Sequence, residues 1–374
     1  MQNKKIVVIS DSFKGTISSL RICELFDNEL KNRDDIEPTY IPIADGGEGS
    51  LDCISRVLNG CFKNVKVRNL YNKKIKTRFF IDYDNNAYIE AASCVGLSLA
   101  KKNNNPGLVT TYGLGEQTKE AILQGCSHIY VFLGGSASND GGVGLAAALG
   151  YKFFNNKNKL FLPTGLTLKD ITRINLGTSQ DILGIVPITV LSDVRSPFCG
   201  PEGAAYKFAP QKGAKEEEVE LLDAGLKHLS ALIERDLGID VSNIPGAGAA
   251  GGLGGGLVGF ASASISSGID TILNLIDFDK VISDVDLVIS GEGKLDEQTL
   301  DGKVIDGVAK HCLKMHKPLD LIVGISELSE SEVKKMYPCL NHLYETNDKH
   351  LPFEEVKDNA EIDYIRKIKE LLNE

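Results

Sequence analysis

Six polar, glycine-rich loops hold the residue types that could do chemistry in this chain. They lie at predicted strand ends or helix starts, and several contain an acid or a lysine. They are residues 11–15, 44–49, 134–142, 193–200, 246–256 and 291–296. Because ligands of open α/β sheets bind outside the carboxyl ends of the strands, this repetition predicts a shared ligand site.

The loop GGSASNDGGVG at residues 134–144 has the composition of a phosphate-binding loop. Its glycines expose backbone N–H groups, and the helix predicted after it adds positive partial charge, so that a phosphate is favoured there. The loop is not a Walker A sequence, because GxxxxGK[ST] is absent.

Acids and lysines in the other loops have the properties that phosphate chemistry needs. Asp193 ends an apolar strand, where a carboxylate can accept a proton from a hydroxyl or hold Mg²⁺. Lys14 follows the first strand and can reach a phosphate or a carboxylate. Glu292, Lys294 and Asp296 place two acids and a base within five residues, a mixture that suits magnesium and phosphate together. A turn-capping aspartate, an exposed lysine and a solvated loop are the respective structural alternatives.

Missing motifs narrow the chemistry further. The chain has no GxSxG and no HExxH, and no histidine lies in the glycine-rich loops. Acids, lysines and glycines without histidine favour phosphoryl transfer, in which the protein mainly positions reactants and neutralises charge. Gly246, Gly248 and Gly251 match GxGxxG, which keeps a nicotinamide-dependent oxidoreductase open as an alternative. Tight packing of a helix start explains the same glycines.

The elements that must position these loops follow a strand–loop–helix order typical of a parallel α/β fold. We predict strands at 5–10, 40–43, 128–133, 185–190, 286–290 and 319–325, and helices at 20–30, 50–58, 113–124, 145–149, 216–237, 303–314 and 364–372. The last of these is predicted to be a charged surface helix. Short segments at 65–68, 77–82 and 87–90 predict an antiparallel insertion. The two chain ends resemble each other, so we expect a discontinuous domain of residues 1–70 plus 285–374 and an inserted α/β domain of residues 71–284.

Composition excludes several classes of protein. The chain has 374 residues, 42% of them hydrophobic, and a formal net charge of −10, which argues against disorder and against a nucleic-acid partner. Eight cysteines without a CxxC pair predict reduced thiols in the cytoplasm. Residues 241–269 are uncharged but include nine glycines, and the first apolar run is too short for a signal peptide, so no membrane partner is expected.

Seven stretches of the sequence, in order, closely resemble the bacterial-type glycerate kinase family. They are DSFKGTIS from Asp11, PIADGGEGS from Pro42, GGSASNDGGVG from Gly134, SDVRSPFCGPEGAA from Ser192, FAPQKGA from Phe208, PGAGAAGGLGGG from Pro245 and ISGEGKLDEQTLDGK from Ile289. They cover nearly the whole chain. The chain departs from the family's pattern at Ser196, where asparagine is usual, at Ala209, where glycine is usual, and at Lys294, where arginine is usual. Lysine keeps the charge but loses the bidentate fork of arginine.

The resemblance implies ATP-dependent phosphorylation of D-glycerate with Mg²⁺, and it favours 2-phosphoglycerate over 3-phosphoglycerate as the product. It implies two α/β domains, the discontinuous one Rossmann-like, with the active site in the cleft between them. The implied partners are the small molecules D-glycerate and ATP, and whether the chain forms a homodimer stays open.

The resemblance also implies roles for individual residues. Catalytic roles fall to Asp193, which would orient or deprotonate the glycerate hydroxyl, and to Lys294. Lys14 and Lys294 would neutralise the substrate carboxylate and the transferring phosphoryl group. The expected substrate-binding residues are Asp11, Ser12, Lys14 and Asp45, and the expected nucleotide-binding residues are Gly134, Gly135, Ser136, Asn139 and Asp140. Glu292 or Asp296, alone or with Asp45, would hold Mg²⁺ directly or through water.

Two further functions fit the same motifs. A kinase for another small hydroxy acid would share all of them, and only a panel of substrates separates it from a glycerate kinase. A non-catalytic nucleotide sensor would not need Asp193 and the 292–296 cluster together, which argues against it.

Overall fold

A computed structural model describes residues 3–44, 46–47, 49–184, 186–296 and 303–373 of the chain. The strands are β1 (Lys4–Val8), β2 (Ile36–Tyr40), β3 (Gly60–Arg68), β4 (Lys74–Asp82), β5 (Asn86–Glu90), β6 (His128–Phe132), β7 (Lys152–Phe154), β8 (Leu160–Phe161), β9 (Arg173–Asn175), β10 (Ile188–Leu191), β11 (Ser264–Ser266), β12 (Leu287–Ser290), β13 (Lys294–Leu295), β14 (Leu319–Val323), β15 (Ile325–Ser326) and β16 (Leu340–Glu345). The helices are α1 (Ser19–Leu30), α2 (Ser50–Val57), α3 (Ala92–Val95), α4 (Tyr112–Leu123), α5 (Val143–Ala148), α6 (Ser179–Leu183), α7 (Ala204–Phe208), α8 (Glu216–Leu237), α9 (Ala249–Ala261), α10 (Gly268–Leu275), α11 (Phe278–Ile282), α12 (Val304–Met315), α13 (Glu330–Met336), α14 (Phe353–Val356) and α15 (Ala360–Leu371). The mixed α/β fold class with parallel sheets is confirmed.

The chain divides into two units. The first contains Met1–Asp45, Asp52–Leu58 and Ile269–Glu374, and the second contains Gly46–Leu51 and Asn59–Gly268. The expected limits lie at 70 and 284, and β3, which precedes residue 70, pairs with β4 in the sheet of the second unit.

The first unit is built on a parallel sheet with strand order β2-β1-β12-β14-β16. Its central strands are apolar because both faces are covered, as in parallel sheets generally. The carboxyl ends of β1 and β12 are joined beyond the strands, where Asp11 N–H donates to Gly291 O at 2.9 Å. This edge therefore brings the loops after β1 and β12 side by side.

Two predicted elements of the first unit need correction. The second strand is β2, not residues 40–43; it is an edge strand, where Pro38 is tolerated because no neighbour needs its missing N–H. The last helix is not only a charged surface helix. Tyr364 and Ile368 of α15 are fully buried, and the Tyr364 ring packs edge-on against Phe13 at 5.2 Å between centroids.

The second unit is built on a six-stranded sheet with order β11-β10-β6-β5-β4-β3. In this sheet β5, β6, β10 and β11 pair in parallel, whereas β3 and β4 add antiparallel pairs at one side. Leu114 of α4, Leu145 of α5 and Leu253 of α9 lie in the core that includes this sheet. The carboxyl ends of β5, β6 and β10 therefore lie next to one another at one edge.

A second core in the same unit lies under α8. This helix has the bounds that its periodicity predicts, and its apolar face of Val219, Leu222, Leu226, Leu229 and Ile233 is buried. A small antiparallel sheet, β8-β7-β9, contributes Phe153 and Ile174 to this core. Across the described ranges, no helix combines the length and apolar character that crossing a bilayer requires.

Candidate active site

The loop after β6 is held by backbone pairing on one side. Leu97 N–H donates to Gly135 O, and Ala137 N–H donates to Val95 O, both at 2.8 Å. Gly134 N–H, an expected donor to a phosphate, donates instead to Gly46 O at 2.9 Å. A Cβ at Gly134 would lie 2.3 Å from Gly47 Cα, which is why this position requires glycine.

The next two residues present backbone N–H groups that have no acceptor in the part of the chain that the structure describes. Gly135 is exposed and has a φ of +73°, a left-handed conformation that glycine adopts without strain. Within the described residues, neither Gly135 N–H nor Ser136 N–H has a hydrogen-bond acceptor. Unpaired N–H groups beside a left-handed residue form a concavity that suits an anion.

Asp140 is engaged by its own loop. Its carboxylate is fully buried; Oδ2 accepts from Thr111 N–H at 2.8 Å and from Thr111 Oγ1 at 2.9 Å, and Oδ1 accepts from Gly142 N–H at 3.1 Å. Burial raises the pKa of Asp140, and these hydrogen bonds oppose the rise. The side chain fixes the turn into α5 and the start of α4.

Asn139, beside it, is different, because its amide is buried and has no hydrogen-bond partner on either polar atom among the described residues. A buried amide without partners is costly, about 1–3 kcal/mol for each unsatisfied group. Asn139 is therefore a place where a ligand or water oxygen would be stabilising.

Lys212 is a residue of this loop region that sequence reasoning missed. It is 5% exposed, and its Nζ donates to Ser136 Oγ at 3.0 Å and to Ser138 O at 2.9 Å. Burial lowers the pKa of Lys212 to about 7, while the Coulombic attraction of Asp140 opposes the shift. The family stretch FAPQKGA contains this lysine, and that was the signal available in the sequence.

Carboxylates lie at the ends of the strands on both sides of β6. Asp193 follows β10, and its Oδ1 accepts from Gly268 N–H at 2.9 Å. Glu90 ends β5, is buried, and accepts from Gly49 N–H at 2.7 Å through Oε1. Sequence reasoning identified Asp193 and missed Glu90, whose signal was an acid at the end of the apolar run AYIE.

In the first unit, the loop after β1 contains a buried acid and an exposed lysine. Asp11 is buried, and its Oδ1 accepts from Ser12 N–H at 2.7 Å. Lys14 is exposed, next to Gly15 with a φ of +81°. Asp45, the fourth expected substrate-binding residue, lies outside the described residues.

The loop after β12 contains the expected magnesium ligands. Glu292 is buried, whereas Lys294 is half-exposed and pairs with Glu327 Oε1 at 2.7 Å and with Asp296 Oδ2 at 3.3 Å. Glu327 and then Asp296 raise the pKa of Lys294 by hydrogen bonding. In the described part of the chain, no group of three or more His, Cys, Asp or Glu side chains is placed to hold a metal ion.

The GxGxxG segment packs against protein backbone. A Cβ at Gly248 would lie 2.2 Å from Pro197 O, and one at Gly251 would lie 2.1 Å from Ser138 O. Gly141 N–H also donates to Gly251 O at 3.1 Å. These glycines allow the start of α9 to contact the loops after β6 and β10 closely, which explains their composition without a dinucleotide.

A parallel α/β unit in which the loop after β6 lies between two strand-end carboxylates is typical of an enzyme that acts on small molecules. A model described as the glycerate kinase family matches residues 6–373. The chain belongs to the glycerate kinase family, and it is an enzyme of the phosphotransferase class.

Individual proteins support the same family. The chain is 37% identical to a glycerate kinase of Neisseria meningitidis serogroup B, over 96% of this chain and 95% of that protein. It is 36% identical to the glycerate 2-kinase of Escherichia coli, over 86% of this chain and 85% of that protein. A crystal structure of a protein assigned as glycerate kinase 2 from Salmonella typhimurium LT2 superposes with a TM-score of 0.82 at 32% identity, covering 99% of this chain and 97% of that one.

Proposed function

We propose that the chain transfers the γ-phosphoryl group of ATP to D-glycerate and that 2-phosphoglycerate is the product. The name of the Escherichia coli relative, glycerate 2-kinase, supports both the acceptor and the position. The observation that carries the proposal is that Gly135 N–H and Ser136 N–H have no acceptor among the described residues, with the buried ammonium group of Lys212 next to the Ser136 hydroxyl. This arrangement suits a phosphate better than any neutral ligand.

The nucleotide phosphates are assigned to the loop after β6. Gly135 N–H and Ser136 N–H would donate to phosphate oxygens, and Asn139 supplies a buried amide that has no partner among the described residues. Asp140 contributes by holding the loop rather than by touching the nucleotide, since its oxygens accept from Thr111 and Gly142. Gly134 N–H is not assigned to a phosphate oxygen, because it donates to Gly46 O.

Asp193 is assigned to the hydroxyl group of D-glycerate. The bond from Gly268 N–H fixes the orientation of its carboxylate at the end of β10. As the hydroxyl oxygen bonds to the γ-phosphorus, the bond from that phosphorus to the bridging oxygen of ADP breaks, and the hydroxyl proton passes to Asp193. General-base assistance of this kind contributes about 10²- to 10⁴-fold to the rate.

The carboxylate of D-glycerate and the transferring phosphoryl group need positive charge. Lys14 is an exposed ammonium group at the end of β1, and Lys294 is a half-exposed one beyond β12. Asp11 and Ser12 would position the hydroxyl groups of the acid, and Asp45 keeps its predicted place in this set.

Mg²⁺ is proposed as the metal, and it would neutralise charge on the β- and γ-phosphates. Mg²⁺ is usually bound by one or two carboxylates together with substrate phosphates, so a cluster of three acids is not needed. The buried carboxylate of Glu292 fits this role. Asp296 fits it less well, because Lys294 and Lys303 lie 3.3 and 3.9 Å from its oxygens and compete with a cation.

A cytoplasmic location is proposed on the eight free cysteines, most of them buried, which suit a reducing compartment. A homodimer stays a prediction.

The proposal is tested by measuring ADP release from MgATP with D-glycerate, with L-glycerate, glycolate, lactate and tartronate as matched alternatives. We expect turnover with D-glycerate, and a phosphorus NMR spectrum of the product that shows the ester at carbon 2. Turnover with another acid alone would replace the substrate, and an ester at carbon 3 would overturn the regiochemistry. No turnover with any acid, while MgATP still binds, would favour a nucleotide sensor.

A further inference from the structure

We propose that Lys212 is a positioning residue for the nucleotide phosphate, and that it acts through the hydroxyl group of Ser136. The inference rests on the proposed function, because it concerns the same loop.

Lys212 lies in the short 3₁₀ helix Pro210–Lys212 and contacts the loop after β6. Its Nζ lies 3.0 Å from Ser136 Oγ and 2.9 Å from Ser138 O, so one ammonium group ties two successive positions of the loop. The backbone of Lys212 is held as well, because Asn104 Nδ2 donates to Lys212 O at 3.0 Å. The same amide donates to Ala137 O at 3.1 Å, which joins the two segments a second time.

The direction of the hydrogen bond decides what Ser136 can do. An ammonium group only donates, so the Ser136 oxygen accepts from Lys212. A hydroxyl group has a single proton, and here that proton is left to point to another acceptor. Together with Ser136 N–H, the side chain then offers two donors to an anion, and Lys212 supplies the charge behind them.

Lys212 is buried and has a lowered pKa, so a bound anion would stabilise its charged form. The charged group that acts on it among the described residues is Asp140. Asp140 is already engaged by Thr111 and Gly142, and it does not prevent burial from lowering the pKa of Lys212 to about 7. A bound phosphate would raise that pKa again, so binding and protonation of Lys212 are coupled.

The proposed reaction contains two anionic groups that Lys212 could help to bind. The carboxylate of D-glycerate and a nucleotide phosphate share the required charge. The loop after β6 favours the phosphate, because Gly135 N–H and Ser136 N–H offer several donors to a tetrahedral group with many acceptor oxygens. The experiment therefore measures both ligands.

Binding of MgADP and of D-glycerate is measured by titration calorimetry on the full chain at pH 6.5 and 8.5. The variants are Lys212→Met, which has a similar length and no charge, and Ser136→Ala, which leaves the lysine in place. Lys207→Met, at an exposed lysine of α7, is the matched control. Thermal melting of each variant establishes that it is folded.

We expect Lys212→Met to weaken MgADP binding at least tenfold at pH 6.5 and much less at pH 8.5, where the wild-type lysine is mostly neutral before binding. Wild-type binding at pH 7 should take up about half a proton, because a group with a pKa of about 7 is half-protonated there, and this uptake should vanish in Lys212→Met. Adding Ser136→Ala to Lys212→Met should cause little further loss, since both act on one phosphate contact.

Three results would overturn the inference. A ratio of wild-type to Lys212→Met affinity that does not change with pH would leave Lys212 a structural role only. Loss of D-glycerate binding with MgADP binding intact would assign the lysine to the carboxylate. Failure of the wild type itself to bind MgADP would refute the proposed function, and the inference with it. The wild-type titration alone therefore separates failure of the proposed function from failure of the inference about Lys212.

Discussion

The charged groups in and beside the loop after β6 of the second unit are buried, whereas the lysines of the loops after β1 and β12 in the first unit contact solvent. Asp140 and Lys212 are at most 5% exposed. Lys294 has half of its side chain exposed, and Lys14 is exposed as well. The same residue types thus serve two different electrostatic environments.

The difference changes what a lysine can do. Burial lowers the pKa of Lys212 to about 7, so its charge depends on pH and on a bound anion. Glu327 and Asp296 raise the pKa of Lys294, so its charge is constant over the working range of pH. We infer that the buried loop is specific for one anion, and that the exposed loops provide a constant positive charge.

The largest effect is expected in the second unit, at Asp193. Asp193→Asn removes the proton acceptor but keeps the size of the side chain, so kcat should fall about 10³-fold while MgATP binding stays within twofold. Asp11→Asn, in the first unit, should raise KM for D-glycerate more than it lowers kcat. Steady-state kinetics and calorimetry measure both, and near-normal turnover of Asp193→Asn would remove the base from the account.

A pair of glycine substitutions compares the packing of the two regions. Gly134→Ala places a methyl group 2.3 Å from Gly47 Cα and should cost about 1–3 kcal/mol of unfolding free energy, with weaker MgADP binding. Gly293→Ala meets Phe13 Cα at 3.3 Å and should stay within about 0.5 kcal/mol of the wild type. Urea unfolding gives both values, and equal costs at the two sites would contradict the difference in packing.

Lys294→Met tests the constant charge of the first unit. KM for D-glycerate should rise about tenfold, by a similar factor at pH 6.5 and 8.5, because an ion pair with a carboxylate contributes about 1 kcal/mol or more when partly desolvated. Lys294→Arg should retain most activity. Glu327→Gln, which removes the partner and keeps the lysine, should change KM less than twofold, and a large effect of that control would mean that the pair itself matters.

The smallest effect concerns stability and pH. The folded-state pKa of Lys212 lies below the unfolded value of 10.5, so the unfolded chain binds more protons between pH 7 and 10.5, and stability from this group rises with pH there. The slope is at most about 1.4 kcal/mol per pH unit. Relative to Lys212→Met, the wild type should gain about 1 kcal/mol per pH unit between pH 7 and 9 by urea unfolding. Parallel profiles for the two proteins would show that Lys212 does not titrate in this range.

Much of the fold was predictable because parallel strands and amphipathic helices leave periodic patterns. The bounds of α8 follow from its apolar spacing, and β1, β6 and β12 follow from short apolar runs. The edge strand β2 was misplaced because its sequence, IEPTY, alternates weakly and contains a proline. The buried side of α15 was missed because Tyr364 stands among charged residues.

The site was predictable to the extent that it follows strand ends. Asp193 and the loop after β6 lie where the order of strand and loop places them. Glu90 and Lys212 were missed because their roles depend on contacts with Gly49 and Ser136, which are distant in sequence. The engagement of Gly134 N–H by Gly46 O was invisible for the same reason.

The central claim is that the loop after β6 binds the nucleotide phosphates, and a crystal structure of the full chain with MgADP tests it most directly. The account predicts phosphate oxygens within hydrogen-bond distance of Gly135 N–H and of the N–H and Oγ of Ser136. Phosphates bound instead at the loop after β1, beside Lys14, would contradict it.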